Sequence, residues 1–241
     1  MKRNSTPTAF TLIELLVVIT IIAILASVAL PAFIGVQERA QQTKDLSNIK
    51  QIGLTLKQFA TDNNGSFPNK APAAGDYNSA PATAPATSND AFWWLFPTYI
   101  TSEDIFVVPG SAYSPNNPNN LLDAPGAAGR TNTLAAGECA YSYITNLFDT
   151  SNASFPVVAD GWTNPVTAPP AYATSKSTQG GVWAGKKAVV LFVDASAQIM
   201  RVDPATLTVL RPGHNYSLFS NTNNIAADPW LVAANAQLDP N

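Results

Sequence analysis

Residues 9–33 read AFTLIELLVVITIIAILASVALPAF, and the reading of this stretch decides what the rest of the chain is for. Between Phe10 and Phe33 the only ionisable side chain is Glu14. As a helix the stretch would span roughly 36 Å at about 1.5 Å per residue, and a bilayer core needs about 20 such residues. Before it comes a short polar leader, MKRNSTPTA, with Lys2 and Arg3. Those cations favour the cytoplasmic side and leave the C-terminal bulk facing outward. An ordinary secretory signal ending at Ala26-Ser27-Val28-Ala29, or a plain signal anchor, accounts for the apolar block but not for Glu14. A carboxylate in hydrocarbon is costly and calls for a partner. No Lys, Arg or His lies between Phe10 and Arg39 to supply one within the helix.

The string Ala9-Phe10-Thr11-Leu12-Ile13-Glu14-Leu15-Leu16-Val17-Val18-Ile19 resembles the prepilin cleavage and methylation motif of type IV pilins and type II secretion pseudopilins. The resemblance implies that a prepilin peptidase cuts between Ala9 and Phe10 and that Phe10 is then N-methylated. It also implies that Glu14 is the assembly glutamate and that Pro31 kinks the helix on assembly. Cleavage would create an ammonium one turn from Glu14, at the depth where a staggered neighbour could pair with it and offset the desolvation of both charges. It would also remove Lys2 and Arg3, taking the side-chain charge from -3 to -5. Ala9 departs from the family's usual Gly before the cut, which implies slower processing.

Downstream, Leu46, Ile49, Ile52, Leu56 and Phe59 recur at steps of three and four, an apolar stripe along one helix face. Lys44, Asn48, Gln51 and Thr55 are expected away from it. Asn63-Asn64-Gly65 reads as the helix stop. Either one long helix runs to that point, or Pro31 or Gly35 divides a membrane helix from a soluble one.

The organisation expected is a cleaved leader over 1–9, a transmembrane or filament-core helix over 10–33 and an amphipathic continuation over 34–64. A loop rich in Pro, Ala, Ser and Thr follows over 65–91, then an extracytoplasmic globular head over 92–241. In the head, Phe92-Trp93-Trp94-Leu95-Phe96 reads as a short core helix or packing turn. Residues 105–108, 140–144, 155–159, 188–193 and 198–202 read as strands, the last two joined as a hairpin through Asp194-Ala195-Ser196-Ala197. With the family resemblance, this implies an α+β fold: a long N-terminal helix packed against a small antiparallel sheet.

The hairpin also resembles that of pilin-like proteins abundant in planctomycete-type bacteria, which carry His, nine residues, then Asp-Gly. Here Ala184 stands where the His would be and Ala195 replaces the Gly beside Asp194, so no functional residue carries over.

Composition narrows the function classes. Charged residues make up 12% of the chain and no basic run could track phosphates, so nucleic acid is not an expected partner. Cys139 is the only cysteine and His214 the only histidine, leaving little material for nucleophilic catalysis or a zinc site. His214 reads as a turn residue and Cys139 as a small buried apolar group. No cofactor is expected. Calcium is the one candidate, since Asp149, Asn152, Asp160 and Asp228 carry suitable oxygens, though without compact spacing.

The expectation is therefore a non-enzymatic structural subunit of a type IV pilus-like or type II secretion filament. Its partners would be other pilin copies, the prepilin peptidase, the inner-membrane assembly platform and, before assembly, inner-membrane lipid. It would sit first in the bacterial inner membrane, head in the periplasm, and then in the filament. The alternative is a membrane-anchored module that binds a ligand or glycan and does not polymerise.

Overall fold

The structure is a computed structural model that describes residues 11–115, 117–164, 166–167, 169–220, 230–231 and 236–240, without the side chains of 31 and 32. The expected leader lies outside the described residues. The chain divides into two compact units, Met1–Gln41 and Gln42–Asn241.

One helix, α1, runs Leu12–Asp62 through both Pro31 and Gly35, so the undivided reading holds. In the first unit its residues 11–30 and 33–36 are all exposed, large aliphatic side chains included. By length and composition α1 could cross a membrane. The helix stops where the Asn-Asn-Gly signal places it. Asn64 and Gly65 take φ of 55° and 77°, and the Gly65 N–H returns to the Ala60 carbonyl at 2.8 Å.

In the second unit a five-stranded antiparallel sheet forms from β1 (Tyr141–Ile144), β2 (Pro156–Asp160), β3 (Lys187–Phe192), β4 (Ala197–Arg201) and β5 (Gln237–Leu238). The strand order is β4-β3-β2-β1-β5. Four strands fall where the apolar runs predict them. The fifth, β5, has only two residues and no apolar run to announce it; it pairs Leu238 with Tyr143 and Gln237 with Ile144. The β3–β4 hairpin closes as expected. The Ser196 N–H reaches Asp194 Oδ1 at 2.8 Å, and Ala195 sits at φ 63°, a conformation that favours the glycine of the related motif.

The strand expected over 105–108 does not form. Glu103–Phe106 is a 3-10 turn capped by Ser102, whose side chain accepts the Asp104 N–H. A four-residue apolar run carries no periodicity long enough to separate strand from turn. Here the preceding Ser-Glu-Asp favours the turn, and Glu103 is held by the N–H groups of Asn120 and Leu134 at 2.9 and 2.6 Å.

Residues 42–62 of α1 pack on the sheet through the predicted stripe. Ile49, Ile52, Leu56 and Phe59 are buried, and Leu46 is partly so. The polar side of that prediction needs correction. Lys44 and Gln51 are exposed, but Asn48 and Thr55 are buried, as is Asp45. The buried face is widened by hydrogen bonding: Asn48 Nδ2 donates to the Val107 carbonyl at 3.4 Å and Thr55 Oγ1 to the Gln51 carbonyl at 2.9 Å. Gly53 lets helix and sheet approach closely, since a Cβ there would lie 2.6 Å from Leu191 Cδ1 of β3. Gly53→Val should therefore lower stability by about 1–3 kcal/mol through overpacking. Gly53→Ala should be nearly neutral, because the obstructing methyl can rotate away and alanine favours helix by about 1 kcal/mol over glycine. Thermal unfolding of the two variants checks this, and equal losses would show that the contact is not the cause.

The segment after α1 is not a free linker. Phe67, Tyr77 and Ala80 are buried within the core cluster, and Lys70 Nζ donates to the Tyr77 and Ala80 carbonyls at 2.8 and 2.9 Å. The aromatic block that follows forms α2 (Ser88–Phe92) and a 3-10 turn at Trp93–Leu95, as the short-helix reading expects. Thr87 and Asp90 make a capping box at the start of α2.

Candidate functional site

The head of α1 holds the one charged group of the apolar block. Thr11 is its N-cap and Glu14 the third helical residue, and the two close a reciprocal capping box. Glu14 Oε2 accepts the Thr11 N–H at 2.9 Å and the Thr11 hydroxyl at 2.7 Å, while the Glu14 N–H reaches Thr11 Oγ1 at 3.3 Å. Glu14 thus has local donors where cation counting finds none. The signal was present in the sequence, because Thr-x-x-Glu before an apolar run is a helix start. Among the described residues the helix begins at Leu12. Ala9 and Phe10 lie outside the described residues.

Chemically, the arrangement is an exposed carboxylate at the head of an apolar helix, preorganised by Thr11, with no Lys, Arg or His in the sequence between it and Arg39. It can meet a cation brought by another molecule. Pro31 lies in the continuous part of α1.

The other singled-out residues are spread through the second unit. The Trp pair belongs to the core: Trp93 and Trp94 are buried, with Nε1 donating to Asp123 Oδ2 and to the Lys70 carbonyl at 2.9 and 2.8 Å. Cys139 is fully buried and its thiol is pushed up to about 12 by burial, so it behaves as an apolar side chain. His214 sits in a turn closed by its N–H on the Arg211 carbonyl at 3.0 Å.

Of the suggested calcium oxygens, Asp160 is buried at the end of β2, where Oδ2 accepts Trp183 Nε1 at 2.8 Å and the Val189 N–H at 2.7 Å. Asn152 Oδ1 accepts the Ser154 N–H at 3.0 Å, and the Asp149 carbonyl accepts Lys57 Nζ at 3.2 Å. Asp228 lies outside the described residues. Among the described residues no three His, Cys, Asp or Glu side chains gather as a metal site. A cleft of about 480 Å³ is lined by Tyr77, Trp93, Trp94 and Tyr99 together with Asp62 and Asp76. No sequence feature announced it, because its walls come from segments far apart in the chain.

Comparison with known proteins bears on the α1 segment. The prokaryotic N-terminal methylation motif matches residues 8–30. The chain is 39% identical over 61 residues to the type IV major pilin protein PilA of Myxococcus xanthus, covering 25% of this chain and 28% of that protein. It is 38% identical over 63 residues to the type II secretion system core protein G of Vibrio cholerae, covering 26% and 43%. With core protein G of Escherichia coli the identity is 32% over 89 residues, covering 37% and 61%. The matches thus span less than two thirds of each of these relatives. No solved structure matches significantly. The chain thus carries the N-terminal methylation motif at residues 8–30 and, over its N-terminal quarter to third, is similar to a type IV major pilin and to type II secretion core proteins G.

Proposed function

We propose that this chain is a structural subunit of a type IV pilus-like or type II secretion pseudopilus filament. The observation that carries the reading is the head of α1, where an exposed carboxylate, capped by Thr11, begins an apolar shaft within a methylation motif. So large an exposed apolar surface requires a covering. Membrane lipid covers it first, and the helices of neighbouring subunits cover it after assembly.

On this reading a prepilin peptidase cuts between Ala9 and Phe10, and Phe10 is methylated on its new amine. That ammonium pairs with Glu14 of an adjacent copy, and α1 bends at Pro31 as it packs. The partners are further pilin copies, the peptidase and the inner-membrane assembly platform. The head stands on the periplasmic side of the inner membrane and then on the filament. No catalytic role and no cofactor is assigned.

Intact mass and N-terminal sequencing of the protein from its own cell test the reading. The expected result is a chain beginning at methylated Phe10. Mature material that keeps the leader, or begins beyond Ala29, would overturn it, because the pairing amine would be missing or misplaced.

The aromatic and acidic cleft favours a second reading, an anchored binding module that does not polymerise. That module would keep its function after α1 residues 12–33 are exchanged for an unrelated apolar anchor, whereas a filament subunit would not.

A further inference from the structure

Asp45 of α1 and Asp160 of β2 are both fully buried where helix meets sheet. Each is half satisfied. Asp45 Oδ1 accepts the Tyr141 hydroxyl at 2.7 Å, and Asp160 Oδ2 accepts Trp183 Nε1 and the Val189 N–H. Asp45 Oδ2 and Asp160 Oδ1 are left, both buried and both without a donor. Asp160 stands opposite Tyr141 in the β1–β2 register, and the Tyr141 hydroxyl is the donor to Asp45, so the two carboxyl groups share one buried neighbourhood beside Tyr141 and act on each other.

Among the described residues no cation acts on the pair. The ionisable groups around it are Tyr141 on β1, Tyr172 in the loop after β2 and, farther out, Cys139 and Asp239. Lys187 at the start of β3 is turned to Gln42 Oε1 at 3.4 Å. Two ionised carboxylates here would bury two like charges with their inner oxygens facing nothing positive, an arrangement that drives one of them to keep its proton.

We propose that Asp45 and Asp160 hold a single proton between Oδ2 and Oδ1, a carboxyl–carboxylate latch that joins residues 42–62 of α1 to the sheet and makes the head most stable in acid. The latch is independent of the filament reading. One bound hydrogen serves both orphaned oxygens at once. The pair titrates as a unit, so the proton belongs to both residues.

The direction of the pH effect follows. Burial, first of all, lifts Asp45 to about 6, and burial together with the neighbouring Asp45 charge raises Asp160. The folded state therefore keeps a proton that the unfolded chain releases above about pH 4. The stabilisation is complete below that pH and is lost as pH rises through the folded value. Burial also raises Asp239, to about 6, and Glu103, so both add a background of the same sign.

The test uses the full chain in detergent micelles, with tryptophan fluorescence following thermal unfolding from pH 5 to pH 8. The unfolding temperature of the wild type should fall across this range. Asp160→Asn should remove at least half of that fall and raise the unfolding temperature at pH 8. Its Oδ1 can keep the Trp183 and Val189 donors while Nδ2 supplies permanently the hydrogen that the proton lends. Asp239→Asn serves as the control and should keep most of the slope. Infrared spectroscopy at pH 7 should show the carbonyl band of a buried protonated carboxyl in the wild type and in Asp239→Asn, absent from Asp160→Asn and from Asp45→Asn. Should Asp160→Asn fail to fold, the band and its loss in Asp45→Asn decide. A wild type with no such band at pH 7, or an Asp160→Asn slope equal to the wild-type slope, would overturn the proposal.

Discussion

Glu14→Gln and Glu14→Ala are both expected to yield no filaments while the chain still enters the membrane. The carboxylate is the only ionisable side chain between Phe10 and Phe33, so its removal makes insertion easier and takes away the charge that a neighbour's amine would meet. The two variants separate the two things this residue does. Glutamine can keep the capping box, because its amide oxygen still accepts the Thr11 N–H, whereas alanine loses box and charge together. Electron microscopy of sheared surface material, set beside membrane fractionation of the same cells, reads both effects. Filaments from Glu14→Gln but not from Glu14→Ala would mean that the residue matters as a helix cap. Filaments from both would remove it from assembly altogether.

Phe59→Ala is expected to destabilise the head by about 3–5 kcal/mol, a large part of the roughly 5–15 kcal/mol that holds a domain folded. Phe59 is 1% exposed on the buried face of α1. Its ring stands edge-on to Tyr77 at 4.8 Å and to Tyr99 at 5.7 Å, and Tyr77 in turn meets Trp94 at 5.2 Å. The substitution opens a void at the point where helix, the 66–87 segment and the Trp block converge, so that segment should become the first site of proteolysis. Leu54→Ala, on the same helix but with its side chain 61% exposed, should change stability by no more than about 0.5 kcal/mol. Comparable losses in the two variants, measured by thermal unfolding, would mean that helix propensity and not packing governs this part of α1.

The features legible in the sequence share a physical character. The apolar block, the three-and-four stripe through Ile49 and Phe59, the Asn63-Asn64-Gly65 stop and the Asp194 hairpin all depend on residues a few positions apart. The Thr11–Glu14 box was legible by the same logic, but a search for cations passes over it, because the donors it uses are a backbone N–H and a hydroxyl. The expected strand over 105–108 fails for the complementary reason. Its four apolar residues fit more than one backbone, and partners around 120 and 134 select the turn. The Pro- and Ala-rich segment looks solvated by composition, yet Phe67 and Tyr77 pin it to the core.

The sequence alone determined that a long apolar helix carries one acid near its head, that the methylation motif stands there, and that short strands follow, two of them joined as an antiparallel hairpin. Only the tertiary structure decided which polar groups go inside. Tyr141 reaches Asp45 across 96 residues, β5 returns from near the C-terminus to close the sheet edge, and Asp45 and Asp160 each keep one buried oxygen without a donor. Local pattern sets backbone form because the backbone answers to near neighbours. A buried polar atom answers to whichever donor the fold delivers, and that donor comes from elsewhere in the chain.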